Sequence, residues 1–515
     1  MSADEEQGEP LLSPETSSTY GSVDDPGFVA NPTALRAVEN DVIPETATYG
    51  RNLSWSSAYI MVISRVIGSG IFAMPGTVFK TAGSVGLSLL LWIFGAFVAW
   101  CGLAVSLEYG CMLPRSGGDK VYLEYTYRRP KFLASTLVAA SAVLLGFTAS
   151  NCIIFGKYVL FAFDIEPTDA AQKLLAVGLL TAITIVHGGF LKTGIFIQNA
   201  LGWAKVVLFI FMFTTGLFVV TFRPYGSDSS PRVNLFNWDQ LWSGSEWNWG
   251  VVSTAIFKVS YSYAGLANVN NVLNEVKDPV RTLKSVTRTA LITSCILYLL
   301  MNVAYFAVVP LEEIRQSGEL VAALFCERVF ATGFGKTFLP LAIAISAAGN
   351  VMVVTFALVS SSLDLASFWE GILADESPLR QARVNQEVAR QGFLPYASLF
   401  SSSRPFNAPL GGLIVHYVPS LLVIILPPSN DVYAFIADVE LYPSQFYALA
   451  VAVGLLWLRY KRPDLNRPFK AWKSVVGIRI AICLALIAAP FFPPQDGQGD
   501  VSFFYATYAL VGIGM

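Results

Sequence analysis

Long apolar runs alternate with short polar segments along most of the chain, at the length a bilayer crossing needs, about 20 mostly apolar residues. The runs fall near residues 54–79, 84–112, 132–163, 172–188, 196–222, 249–273, 286–310, 337–358, 410–427, 431–458, 476–492 and 501–515. The pattern predicts an all-α polytopic membrane protein of 12 transmembrane helices, the last cut short by the chain end. Residues 1–50 break the pattern. They hold no Lys, many Ser, Thr, Asp and Glu, and no apolar core suited to a signal peptide, so they read as a disordered acidic cytosolic tail ahead of one membrane domain at 51–515.

Two runs are interrupted in the middle. Gly68-Ser69-Gly70-Ile71-Phe72 divides the first, and Tyr261-Ser262-Tyr263-Ala264-Gly265-Leu266-Ala267-Asn268 divides the sixth with small and polar residues. Hydrocarbon offers no water to free backbone groups, so a helix broken at mid-depth is tolerated where it lines a cavity or holds a solute. Close packing of helices through small residues accounts for either cluster alone. Breaks at corresponding positions in two halves of a chain mark a secondary-transporter site. The half-helix starting near Gly70 presents free N–H groups and a positive dipole end to a carboxylate. The helix ends before each break present carbonyls to an ammonium group. Together they suit an α-amino acid.

Composition narrows the alternatives. The chain is 54% hydrophobic and 14% charged, with mean hydropathy +0.54. A net charge of −2 implies no nucleic-acid partner. With the N-terminus inside, the inner segments carry about 22 Lys and Arg and the outer ones about 6, the cytoplasmic bias of membrane proteins. The six cysteines are scattered without metal or redox spacing, and no cofactor, metal site or enzyme constellation is expected. His187 and His416 read as ordinary interfacial residues, and the sequon at Asn52 falls on the cytosolic side. Glu9-Pro10-Leu11-Leu12 is either a dileucine sorting signal or a chance pair.

The string Ile63-Ser64-Arg65-Val66-Ile67-Gly68-Ser69-Gly70-Ile71-Phe72 resembles the first span of the L-type amino acid transporters, within the amino acid, polyamine and organocation superfamily. Ser116-Gly117-Gly118-Asp119, Asn274-Glu275-Val276-Lys277-Asp278-Pro279, Gly392-Phe393-Leu394-Pro395, and Trp457-Leu458-Arg459 through Arg467-Pro468-Phe469-Lys470 agree with that family. Asn268-Val269-Asn270 and Arg383-Val384-Asn385-Gln386-Glu387 are similar to fungal methionine permeases. The resemblance covers roughly residues 50–515 and implies a five-plus-five inverted repeat (LeuT-like) with helices 1 and 6 broken.

It also implies a site lined by Val66, Ile67, Gly68, Ser69, Gly70 and Ile71 on one side and Tyr261, Ser262, Ala264 and Gly265 on the other. The carboxylate would meet the backbone at Ser69 and Gly70. The ammonium would meet the carbonyls of Val66, Tyr261 and Ala264, with Tyr261 as an aromatic gate. Lys205 occupies the position where family members place a lysine instead of a sodium ion; a purely structural tie is the alternative.

Ionisable groups inside a membrane default to functional hypotheses. Arg65 and Lys258 each stand three residues before a break residue and require counter-charges. Asp438 and Glu440, in span ten, are acids at positions where most L-type exchangers are apolar. Either takes up a coupling proton, or both belong to a permanently ionised network. Glu108 reads as structural.

Residues 359–381 have no counterpart in the family pattern, and removing them restores the register between Leu358 and Gly392. The segment reads as a retained intron; a cytosolic insertion is the alternative. The expected activity is import of a neutral amino acid such as methionine, coupled to protons, in the plasma or vacuolar membrane. Rivals are obligate exchange and a receptor that does not translocate. The loop Asp164 to Ala171 lacks the cysteine that tethers heteromeric exchangers, so no disulfide-linked heavy chain is expected.

Overall fold

This computed structural model describes residues 54–66, 68, 70–113, 118–129, 148–222, 237–267, 269–270, 273, 276–330, 333–359, 410–426 and 432–491. Ile67, Ser69, the acidic tail, 360–381, Gly392 to Pro395 and 501–515 lie outside the described residues, as do the side chains of Arg65, Asp438 and Glu440.

Apart from interruptions in the first and sixth, the described parts of the apolar runs fold largely as helices. The first divides into α1 (Trp55–Val66) and α2 (Gly70–Ala82). α3 (Val85–Met112) opens at Ser84, whose Oγ accepts from the Leu87 N–H at 3.2 Å and satisfies one of the donors a helix start leaves free. α4 (Asp119–Thr126), α5 (Ala149–Ala162), α6 (Asp169–Gly189) and α7 (Leu191–Phe222) follow. A short α8 (Trp238–Trp242) precedes α9 (Trp249–Ser262), which Asn248 caps through the Gly250 N–H at 3.0 Å. The sixth run does not stay helical to residue 273: α9 stops at Ser262 and a turn begins.

α10 (Pro279–Val308) opens on Pro279, where a missing N–H costs nothing. Next come α11 (Leu311–Ser317), α12 (Val321–Phe330), α13 (Leu339–Val359), α14 (Leu410–Ile425), α15 (Val432–Lys461) and α16 (Lys473–Ala488).

α2 packs on α9, α3 on α10, and α5 on α13 and α6. Trp92, Tyr263 and Tyr298 fill the space between α3, α9 and α10, with Tyr298 5.0 Å from Trp92 and 5.1 Å edge-on to Tyr263. The outer faces are apolar. Trp203, Val207, Ile210 and Phe218 on α7, Leu174 and Ile185 on α6, and Ile292 and Ile296 on α10 are all exposed. Apolar faces of that extent belong against lipid or another protein rather than water. By length and composition, α3, α6 and α10 are each able to cross a membrane. His187 and His416 are buried, at 0% and 1% exposure, and each is enclosed among helices.

Candidate functional site

The two interruptions meet. α1 stops at Val66, and the Gly68 N–H turns back to the Val66 carbonyl at 2.9 Å, so the chain leaves the helix axis within two residues. A Cβ on Gly70 would lie 2.9 Å from Ser262 Oγ and 3.2 Å from Ser262 Cα, so the first residue of α2 rests directly on the last residue of α9. Glycine is required here for close approach. Ser262 Oγ is buried and has no hydrogen-bond partner among the described residues. The first amides of α2 have no intrahelical acceptor. Free N–H groups, a positive dipole end and an unpaired hydroxyl therefore converge, an arrangement that receives an anion.

Carbonyls supply the opposite polarity. At the end of α9 the Ala264 N–H donates to the Tyr261 carbonyl at 3.1 Å, closing a tight turn. The Tyr298 hydroxyl, reaching in from α10, lies 2.6 Å from the Ser262 carbonyl and 3.0 Å from the Val66 carbonyl. One hydroxyl proton thus serves the last carbonyls of both broken helices. Tyr261 presents its hydroxyl to Ser150 Oγ of α5 at 3.0 Å.

α2 has a further irregularity at Pro75, which lacks an N–H and so leaves the Ile71 carbonyl without its helical donor. Tyr305 Oη lies 3.4 Å from that carbonyl, and Tyr158 Oη donates to the Phe72 carbonyl at 3.3 Å. Tyrosines from α5 and α10 thus serve the backbone of both half-helices.

Across residues 53–367 and 379–515 the sequence matches the profile of a family described as amino acid permease. The chain belongs to the amino acid permease family. The permease is 34% identical over 448 residues to the high-affinity methionine permease of Saccharomyces cerevisiae, covering 86% of this chain and 73% of that one. It is 32% identical over 490 residues to the low-affinity methionine permease of the same yeast, covering 93% and 83%. To the human b(0,+)-type amino acid transporter 1 it is 27% identical over 455 residues, covering 87% and 84%. The permease is an integral membrane amino acid transporter and not an enzyme.

The predicted charges take up distinct positions in the permease. Lys205, on α7, donates to Asn350 Oδ1 on α13 at 2.9 Å. Asn350 stands against the first break, since a Cβ on Gly68 would come 2.9 Å from its Nδ2. The same Nδ2 lies 3.5 Å from Asn151 Oδ1 on α5. Lys205 is therefore linked to the break through an amide. Lys258 is fully buried and donates to Thr81 Oγ1 at 2.7 Å, tying α9 to α2.

Glu108, at 0% exposure, forms a two-pronged pair with Arg459 and accepts the Ala471 N–H at 2.8 Å. It holds α3 to the end of α15 and the following loop, a structural part.

Sequence reasoning missed Tyr298, Tyr305, Tyr158 and Asn350. Pro75 is the one signal that could have prompted a search, because an interior proline leaves a carbonyl needing a donor.

Proposed function

We propose that the permease imports a neutral L-amino acid, methionine in the first instance, by alternating access through a 12-helix, five-plus-five inverted-repeat fold. The methionine permeases among its relatives support the choice of substrate. The observation that carries the reading is the meeting of α2's free N–H end, the carbonyl ends of α1 and α9, and Tyr298 between them. The substrate carboxylate is received by the start of α2 at Ser69 and Gly70, beside Ser262 Oγ. The ammonium is received by the carbonyls of Val66, Tyr261 and Ala264.

In the structure the Val66 carbonyl already accepts from Gly68 N–H and Tyr298 Oη, which fills both lone pairs. An arriving ammonium therefore replaces Tyr298 at Val66, while Tyr298 keeps its shorter bond to Ser262. Binding converts a direct tie between the two helices into one that runs through the substrate. Tyr261 closes over the side chain and Lys205 stands in for a sodium ion. Asp438 or Glu440 carries the proton, and Arg65 and Lys258 are the candidate cations of the coupling system.

The permease has its N-terminus in the cytosol, resides in the plasma membrane and acts without a disulfide-linked heavy chain. Residues 359–381 are a retained intron or a cytosolic insertion; the family match is interrupted within them, at 368–378, and takes in 359–367 and 379–381.

The test is uptake of radiolabelled L-methionine into vesicles at two pH values, with and without internal amino acid and with neutral competitors. Accumulation without internal amino acid, faster at the lower external pH, is expected. A strict need for internal amino acid would establish exchange, and binding without accumulation would establish a receptor. In Asp438→Asn or Glu440→Gln, loss of the pH response identifies the proton carrier; a response kept in both removes these acids from that role.

A further inference from the structure

Several cations carried by the helices are answered from within the protein. Lys205 donates to Asn350, Lys258 to Thr81, Lys284 on α10 to the Pro468 carbonyl at 2.9 Å, and Arg459 to Glu108. Arg479, on α16, is different. Its guanidinium makes no hydrogen bond and no ion pair among the described residues. Asp119, at the start of α4, lies within its field without pairing with it.

Arg479 sits in a seam between two helices. At 1.5 Å per residue it stands about 9 Å along α16 from Lys473, inside a half-bilayer of about 15 Å. It is half-buried and borders a stripe of exposed positions at Ser474, Ile478 and Leu484. On its other side is Gly102 of α3, where a Cβ would stand 3.6 Å from the Arg479 Cζ and Nε and 3.8 Å from Nη2. The glycine leaves the guanidinium resting on the surface of α3, just past the exposed Phe97 and Trp100. Apolar side chains suited to lipid thus flank the charge on both helices.

The start of α16 adds charge of the same sign. Lys470 and Lys473 are exposed, and neither makes a hydrogen bond or ion pair among the described residues. Asp464, in the loop before α16, is already taken by Arg462 at 3.1 Å. Trp472, 74% exposed, lies between the two lysines, an amphipathic ring of the kind that settles at headgroup level. A cation held at the edge of an apolar layer requires a counter-charge. Here no described side chain supplies one in contact, and the medium over this face carries phosphate in its headgroups.

We propose that the seam between α3 and α16 binds the headgroup of an anionic phospholipid, with Arg479 receiving the phosphate and Lys470 and Lys473 at the rim. A guanidinium offers phosphate two parallel N–H bonds, which a lone ammonium cannot. In the orientation given above the site faces the cytosolic leaflet, where anionic lipids create a negative surface.

The test is a lipid titration of the full-length permease in detergent micelles, read by native mass spectrometry with phosphatidylserine and, separately, phosphatidylcholine. The parent is expected to bind phosphatidylserine the more tightly. Arg479→Gln is expected to lower that affinity about fivefold, the factor carried by one cation near an anionic lipid surface, and to lower phosphatidylcholine binding less. Arg479→Lys is expected to recover part of the loss. The double variant Lys470→Gln with Lys473→Gln, confined to exposed positions, is expected to weaken phosphatidylserine binding without changing the melting temperature in phosphatidylcholine micelles. If Arg479→Gln melts early there, the lysine pair and Arg479→Lys carry the decision.

Equal binding of the two lipids by the parent, or phosphatidylserine affinity unchanged in the folded variants, would overturn the site. Displacement of phosphatidylserine by inorganic phosphate would also overturn it, by showing that the residues take a free anion rather than a lipid. No step uses an amino acid, so absence of methionine flux would count against the transport reading and leave this test intact.

Discussion

Tyr298→Phe isolates the bond that joins the two broken helices. The ring keeps its packing on Trp92 and Tyr263, and only the hydroxyl is lost. That hydroxyl sits 2.6 Å from the Ser262 carbonyl and 3.0 Å from the Val66 carbonyl, and Tyr298 is 1% exposed, so water does not readily replace it. Val66 retains the Gly68 N–H as a donor. Ser262 is left the poorer, and a buried carbonyl stripped of its donor costs about 1–3 kcal/mol. With half of that falling on the arrangement that binds substrate, methionine uptake by purified permease in proteoliposomes drops about twofold to tenfold, since about 1.4 kcal/mol is a factor of ten. The melting temperature in detergent falls by a few degrees in parallel. Uptake and melting temperature both unchanged in Tyr298→Phe would refute the argument, because they would show that the hydroxyl carries no part of the junction.

Gly70→Ala is expected to abolish uptake while leaving membrane insertion intact, because the new Cβ would press on Ser262 Oγ and Cα; near-normal uptake would mean that the helices yield there at little cost. Glu108→Gln leaves Arg459 and Arg467 facing a neutral amide in a buried setting and is expected to destabilise the permease by about 3–5 kcal/mol, read as lost surface expression and early melting. Lys205→Met removes the donor to Asn350 beside Gly68, and methionine binding by scintillation proximity is expected to weaken more than melting temperature falls. Tyr305→Phe, which deprives the Ile71 carbonyl of its hydroxyl beside Pro75, is expected to have a smaller effect than Tyr298→Phe, because its contact is the longer, at 3.4 Å.

The breaks were legible because they are local. Glycine and small polar residues inside an apolar run mark where a helix is weakest, and α1 does end at Val66 and α9 at Ser262. Helix extent followed from run length for α3, whereas α10 begins at Pro279, ahead of the apolar run that starts near 286. The partners were not legible. Whether Tyr298 faces Val66 or lipid depends on the rotation of α10, which an evenly apolar run does not encode. The same holds for Asn350 on α13 and for Arg479 on α16. The burial of both histidines was hidden for a related reason: position near a helix end says nothing about what packs over it, and both are enclosed. Glu108 was readable as structural, yet Arg459 and Ala471, far along the chain, became its partners only through folding.

Tyr298 has a consequence for how this chain tolerates change. Val66 and Ser262 lie far apart in sequence, yet their carbonyls draw on one proton. A substitution that moves either helix end alters the share left to the other, so paired changes at the two ends are expected to be epistatic rather than additive. In a Tyr298→Phe background that epistasis should disappear, leaving the two breaks to vary independently.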